Sequence, residues 1–190
     1  MLFRSNHEYY HFDLADKSGT LNEKIRSNVR LVNNVAIQQA DVRLIFSTLW
    51  TQISPTNQWK IQRAMIDFHA ISYRGKAFTP YEYNRQHKLG LEFLMTELPT
   101  KAQKTIVVTH HVPTFLHYPE KYRGDLLNEA FAVELFDLIE SSGVDYWIYG
   151  HHHQTVPTFK IGSTSMVNNQ LGYVQNNEHQ MFDLTAVIDI

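Results

Sequence analysis

The sequence contains no cysteine. Disulfides, thiolate metal sites and cysteine nucleophiles are therefore excluded, and any metal must be held by nitrogen and oxygen donors. No run of about 18 apolar residues occurs, so no membrane-spanning helix is expected. Met1-Leu2-Phe3-Arg4-Ser5 has too short an apolar core for a signal peptide, which leaves the cytoplasm as the default location. Basic runs are missing too. With 17 Lys and Arg against 19 Asp and Glu, the formal charge of -2 suggests no cationic face for nucleic acid. What the 190 residues do have is an apolar content of 43%, enough for the core of one domain spanning 1–190. They also have 11 histidines, several of them clustered.

The densest cluster follows an apolar run, Val144-Asp145-Tyr146-Trp147-Ile148-Tyr149, which reads as a buried strand. Gly150 lets the backbone turn, and His151-His152-His153 come next. In an extended segment His151 and His153 share one side while His152 faces the other. Neutral imidazole is a common ligand for transition metals, so this pair is half of a ligand set.

Elsewhere, Thr20-Leu21-Asn22-Glu23 matches a capping box, and Leu21, Ile25, Val29 and Val32 recur at helical spacing; together they predict a helix over 21–33. Residues 35–38 and 42–50 read as two strands. Thr79-Pro80-Tyr81-Glu82 opens a helix over 80–98, whose apolar stripe carries His87 as a hydrogen-bonded core histidine. A β-branched strand over 105–109 leads into His110-His111. An aromatic loop over 114–127 follows, then a helix over 129–142 capped by Gly143. A hairpin turns at Gly162-Ser163, and the alternation over 184–190 predicts a last strand. Strand–helix units with terminal hairpins fit an α/β (α+β) protein with helices on the outer faces of its sheets.

Asn6-His7-Glu8, His110-His111 and His151-x-His153 each follow a short apolar strand. Polar groups at the carboxyl ends of buried strands are where such sheets place ligands. In this order and with these flanks, the clusters resemble the calcineurin-like metallophosphoesterases, whose pattern runs D-x-H, G-D-x-x-D, G-N-H-[DE], a strand ending in His, then G-H-x-H. Ser5-Asn6-His7-Glu8, Val107-Val108-Thr109-His110-His111 and Gly150-His151-His152-His153 match the last three elements. Ser47-Thr48-Leu49-Trp50-Thr51 and Asn169-Gln170-Leu171-Gly172-Tyr173 are similar to one bacterial branch.

The resemblance implies a four-layer α-β-β-α sandwich of two mixed sheets flanked by helices. It also implies hydrolysis of a phosphomonoester or phosphodiester by a hydroxide activated between two divalent ions of Mn, Fe, Zn, Co or Ni. Asn6, His110 and His151 would bind one ion and His153 the other. His7 would act as general acid, oriented by Glu8. His111 and His152 would support the ligands or face a small phosphorylated substrate. Apart from the resemblance, the aromatic loop over 114–127 offers Arg123 to a substrate phosphate, the alternative being a loop packed over the core. Neither a membrane nor a nucleic acid is an expected partner.

D-x-H and G-D-x-x-D do not precede residue 6, and Ser5 stands where the family has glycine. Those elements supply the bridging carboxylate and most ligands of the first ion. The expectation is therefore an amino-terminally shortened phosphoesterase domain, active in a longer form. The alternative is a non-catalytic metal-binding or scaffold module of the same fold, with one ion or none.

Overall fold

The computed structural model describes residues 2–3, 5–17, 19–100 and 102–190, with side chains from residue 5 onward. Eleven strands and four α-helices are assigned among them: β1 (Leu2–Phe3), β2 (Leu21–Arg26), β3 (Val29–Asn33), β4 (Val35–Gln39), β5 (Val42–Ser47), α1 (Gln58–Ala64), α2 (Asp67–Ala70), β6 (Ser72–Tyr73), β7 (Lys76–Ala77), α3 (Pro80–Glu97), β8 (Lys104–Thr109), α4 (Phe136–Ser142), β9 (Tyr146–Ile148), β10 (Phe159–Ile161) and β11 (Thr164–Val167).

A six-stranded mixed sheet in the order β10-β11-β9-β8-β5-β4 organises the molecule. β5, β8, β9 and β11 run parallel, with Ser47 beside Thr109 and Val108 beside Ile148, while β4 and β10 are antiparallel edges. The near-continuous apolar runs of β5 and β8 suit strands covered on both faces. One core joins the sheet to α3 and α4 through Ile45, Leu94, Val107, Ile139, Trp147 and Met166. A second core gathers Tyr9, Leu14, Trp50, Ile61, Phe68, Phe78 and Tyr83 beneath α1 and α2. Because the four parallel strands end at one edge, the segments beginning at Thr48, His110, Tyr149 and Asn168 emerge together.

The helix expected over 21–33 is a hairpin of β2 and β3 that turns at Ser27-Asn28. Helical spacing and strand alternation coexist in this stretch, and non-local partners decide between them. β3 pairs in parallel with β1, Leu2 beside Leu31, and the Asn33 Oδ1 accepts from the Thr48 N–H at 2.7 Å. The helix expected over 129–142 is also shortened, to α4. Residues 126–130 form a 3-10 turn, and Val112 bridges Ala132, with its N–H bonded to Phe131 and its carbonyl to Val133. Glu134 then takes the Phe136 N–H at 3.0 Å and the Thr114 hydroxyl at 2.8 Å, which starts α4 late.

The last strand expected over 184–190 does not form; Leu184, Val187 and Ile190 are exposed and no neighbour offers a ladder. β4, α3, β8 and the β10–β11 hairpin lie where the sequence predicts them, within the residue or two by which such boundaries vary, and β9 occupies the middle of the predicted 144–149 run. β5 ends at Ser47, short of the predicted Trp50. Gly143 caps α4 in the left-handed region.

Candidate active site

A cavity of about 360 Å³ opens at the carboxyl edge of the sheet. Asn6, His7, Tyr10 and Asp67 line it together with His151, His152 and His153; Tyr118, Tyr122, Phe131 and Tyr173 are further wall residues. The clusters separated along the chain therefore do meet.

Asn6 is buried. Its amide N–H donates to the Asp67 carboxylate at 2.6 Å, and Tyr10 donates to the other Asp67 oxygen at 3.2 Å. The Asn6 Oδ1 is left buried without a partner among the described residues. Asp67 stands at the start of α2, and burial raises its pKa above the usual carboxylate range against the pull of Asn6 and Tyr10. The sequence reading missed Asp67. An acidic residue at a helix start is an ordinary capping signal, and only the fold turns it toward Asn6.

The His triplet does not form an alternating strand. It bends, with His151 and His153 in the left-handed region at φ of 76° and 57°. His151 is buried against the Phe131 ring at 4.5 Å. Its Nδ1 lies 2.9 Å from the His110 Nε2, a hydrogen bond whose donor is set by the tautomers. The His151 Nε2 is buried with no partner among the described residues. Burial, then the neighbouring imidazoles, hold His110 and His151 well below the ordinary histidine range, so both rings are neutral at pH 7. Neutral imidazoles are the form that binds cations.

His111 is fully buried, with Nδ1 facing the Thr48 carbonyl at 3.0 Å and Nε2 facing the Tyr83 hydroxyl at 3.4 Å; burial lowers its pKa to about 3. It ties β8 to the segment after β5. His152 is held by the Gln170 amide at 2.8 Å, and burial lowers it to about 4. His153 faces the Glu178 carboxylate at 3.4 Å and the edge of Tyr173. His7 is exposed at the mouth, its ring 6.1 Å from His110 and 6.3 Å from His151.

Glu8 accepts from the Ser5 N–H at 2.6 Å and from the Ser5 hydroxyl, closing the turn that presents His7. Arg123 is paired with Glu120 and is not among the residues lining the cavity. His87 is a buried core residue whose Nδ1 meets the Trp50 carbonyl, as the stripe of α3 predicts.

Two buried donors on the cavity are of the type that binds a divalent ion. The Asn6 Oδ1 and the His151 Nε2 are unpartnered, buried and on one cavity, with His110 against His151. Among the described residues no group of three or more His, Cys, Asp or Glu side chains is disposed to hold a metal.

Comparison with known proteins agrees with the motifs. The model of the calcineurin-like phosphoesterases matches residues 1–155. An uncharacterized protein of Acanthamoeba polyphaga mimivirus is 29% identical over 203 aligned positions, covering 97% of this chain and 71% of the viral protein. A solved crystal structure is similar at a TM-score of 0.44 and 15% identity over 75% of this chain; the chain spans 46% of that structure's length. With its Asn-His, His and Gly-His-x-His elements inside the matched region, this chain belongs to the calcineurin-like phosphoesterase family.

Proposed function

We propose that this cavity binds a divalent cation and a phosphoester, and that His7 serves hydrolysis as the proton donor. The observation that carries the reading is the pair of buried, unpartnered donors, the Asn6 Oδ1 and the His151 Nε2, on the cavity at whose mouth His7 lies. Leaving such atoms without a partner costs about 1–3 kcal/mol each, a cost that a bound cation would remove. Asn6 and His151, with His110 beside them, are the residues that would hold it, and His153 would join only if it left Glu178. A cation held there would supply Lewis-acid charge to the phosphoryl oxygens.

The chain's own groups do the rest. Asp67 fixes the Asn6 amide so that its oxygen, not its nitrogen, faces outward. Phe131 pins the His151 ring. His7 is exposed and can reload a proton from water after giving one to the leaving oxygen, a contribution of about 10²–10⁴-fold. His111 and His152, neutral and bonded, hold the strand ends in place. In the same reading the three-stranded sheet, joined to the segment after β5 by Asn33, is the counterpart of the second sheet of a four-layer sandwich.

Turnover of bis-p-nitrophenyl phosphate with Mn²⁺, together with calorimetry of Mn²⁺ binding, tests the proposal. His7→Ala should lose about 10²–10⁴-fold in turnover and keep the cation. Asn6→Ala and His151→Ala should lose the cation. Equal Mn²⁺ binding by all three variants and the parent sinks the reading. Cation binding without any turnover favours the scaffold alternative.

A further inference from the structure

The cavity has an unusual lack for a site that accepts an anion: among the described residues no lysine or arginine lines it. The cations are next door. Between residues 58 and 88 the chain carries Lys60, Arg63, Arg74, Lys76, Arg85 and Lys88 against only Asp67 and Glu82. This is a local excess of positive charge in a chain whose total is -2. Asp67 is buried and Glu82 takes the Thr79 hydroxyl. All six cations are exposed, and among the described residues Lys60, Arg63, Arg74, Lys76 and Arg85 make no ion pair.

These cations are interleaved with aromatic rings. Lys60 and Arg63 each lie 6.0 Å from the centre of the Trp59 ring, which is 56% exposed. Arg74 and Arg85 lie 5.4 and 5.7 Å from the centre of Tyr73. Such separations are near the outer limit of cation–π attraction, and Arg85 also donates to the neutral Tyr73 hydroxyl; none of these contacts neutralises a charge, so each can still meet an anion. The patch reaches the cavity directly, because Ala64, Met65 and Ile66, which follow Arg63, are wall residues. The elements are linked: the His69 ring nitrogen of α2 contacts the Arg63 carbonyl of α1 at 3.2 Å, and β6, which carries Tyr73, begins just after α2.

We propose that the exposed face of α1, β6–β7 and the start of α3 binds the backbone of a single-stranded nucleic acid, with bases on Trp59 and Tyr73, and leads it to the cavity. Repeated phosphates match the unpaired cations, and flat bases match rings set between charges, the combination that grips single strands without reading sequence. An anionic lipid surface would use the same cations, but it calls for a continuous apolar face; α1 is two turns long and offers only Trp59, with Ile66 beyond its end. The formal charge of -2 hid the patch from the sequence reading, which averages over segregated charges. The proposal depends on the hydrolase reading only for the strand's destination.

The test is fluorescence anisotropy of a labelled oligothymidylate of about 16 nucleotides, with chelator present so that no turnover is required. Five released contacts give a salt slope near -3.5, a loss of roughly a hundredfold in affinity between about 50 and 200 mM salt. K60Q combined with R63Q should flatten that slope to about -2 while leaving hydrolysis of the small phosphodiester unchanged. W59A should weaken binding about 5- to 100-fold with the slope preserved. The pair K24Q and K160Q, exposed on β2 and β10, should change nothing.

No binding at the lowest salt, or equal losses from the K24Q and K160Q pair, overturns the proposal. So does binding to phosphatidylserine vesicles, sensitive to W59A, in place of the oligonucleotide. Oligonucleotide binding in a chain that hydrolyses nothing removes the hydrolase reading and leaves this one standing.

Discussion

Gly172→Ala should unsettle the rim of the cavity from outside the histidine cluster. Gly172 sits at φ +60°, and a Cβ there would lie 2.6 Å from the His153 carbonyl oxygen, 2.5 Å from the Glu178 Cβ and 2.9 Å from the Glu178 Oε2. Two costs add. The left-handed backbone costs alanine about 1–2 kcal/mol, and forcing the contacts apart costs about 1–3 kcal/mol more, since backbone atoms must move as well as a flexible tip. Glu178 is the side chain that gives way. It accepts from the Tyr173 N–H at 2.7 Å and faces His153 at 3.4 Å, so its displacement releases His153.

The expected total is roughly 2–5 kcal/mol. Urea denaturation reads it directly, and the melting temperature should fall by about 5–15 °C. Gly172→Asn separates the two causes, because asparagine tolerates the left-handed region but keeps the Cβ. Asparagine should be nearly as harmful as alanine. A change within about 0.5 kcal/mol for Gly172→Ala, the usual range for a surface substitution, refutes the packing argument, and a full rescue by asparagine reduces it to backbone strain alone.

Two further outcomes follow from buried polar groups. Burial lowers the pKa of His87, so the unfolded chain takes up a proton that the folded chain refuses as pH falls through about 6.5. Stability is kept above that pH and lost below it. His111, at about 3, acts in the same direction. Each such histidine steepens the loss by up to about 1.4 kcal/mol per pH unit, and urea midpoints of His87→Gln should show a shallower fall below about pH 6.5; an unchanged slope counts against a neutral buried His87. Asp67→Ala removes the acceptor that orients the Asn6 amide, so Mn²⁺ affinity by calorimetry should fall about 10–100-fold, and an unaltered affinity would show that Asn6 needs no such hold.

Much of the fold was legible wherever one local pattern had no competitor. The β-branched runs of β5 and β8, the Pro-started α3 with its buried His87, and the Gly-Ser turn between β10 and β11 carry their own instructions. Residues 21–33 did not, because Leu21, Ile25, Val29 and Val32 satisfy a helix while Ser27-Asn28 permits a hairpin. The choice fell to β1 and Thr48, partners that no window of the sequence contains. Residues 131–135 went the same way, captured by Val112 and Pro113 before a helix could claim them. The alternation over 184–190 met no partner strand and stayed unpaired.

The sequence by itself determined which chemistry is present: imidazole and amide donors, no thiol, and the spacing of a phosphoesterase's later motifs. That information is residue type and order, which the chain carries before it folds. Only the tertiary structure decided which donors are free. It bound both nitrogens of His111, spent one edge of Asn6 on Asp67, set His110 against His151, and left the Asn6 oxygen and the His151 Nε2 without a partner among the described residues. It also left the cations of residues 60–85 exposed and set Ala64, Met65 and Ile66, next to Arg63, on the cavity wall. A donor's availability depends on neighbours tens of residues away, and hydrogen bonding and desolvation act only once those neighbours have arrived.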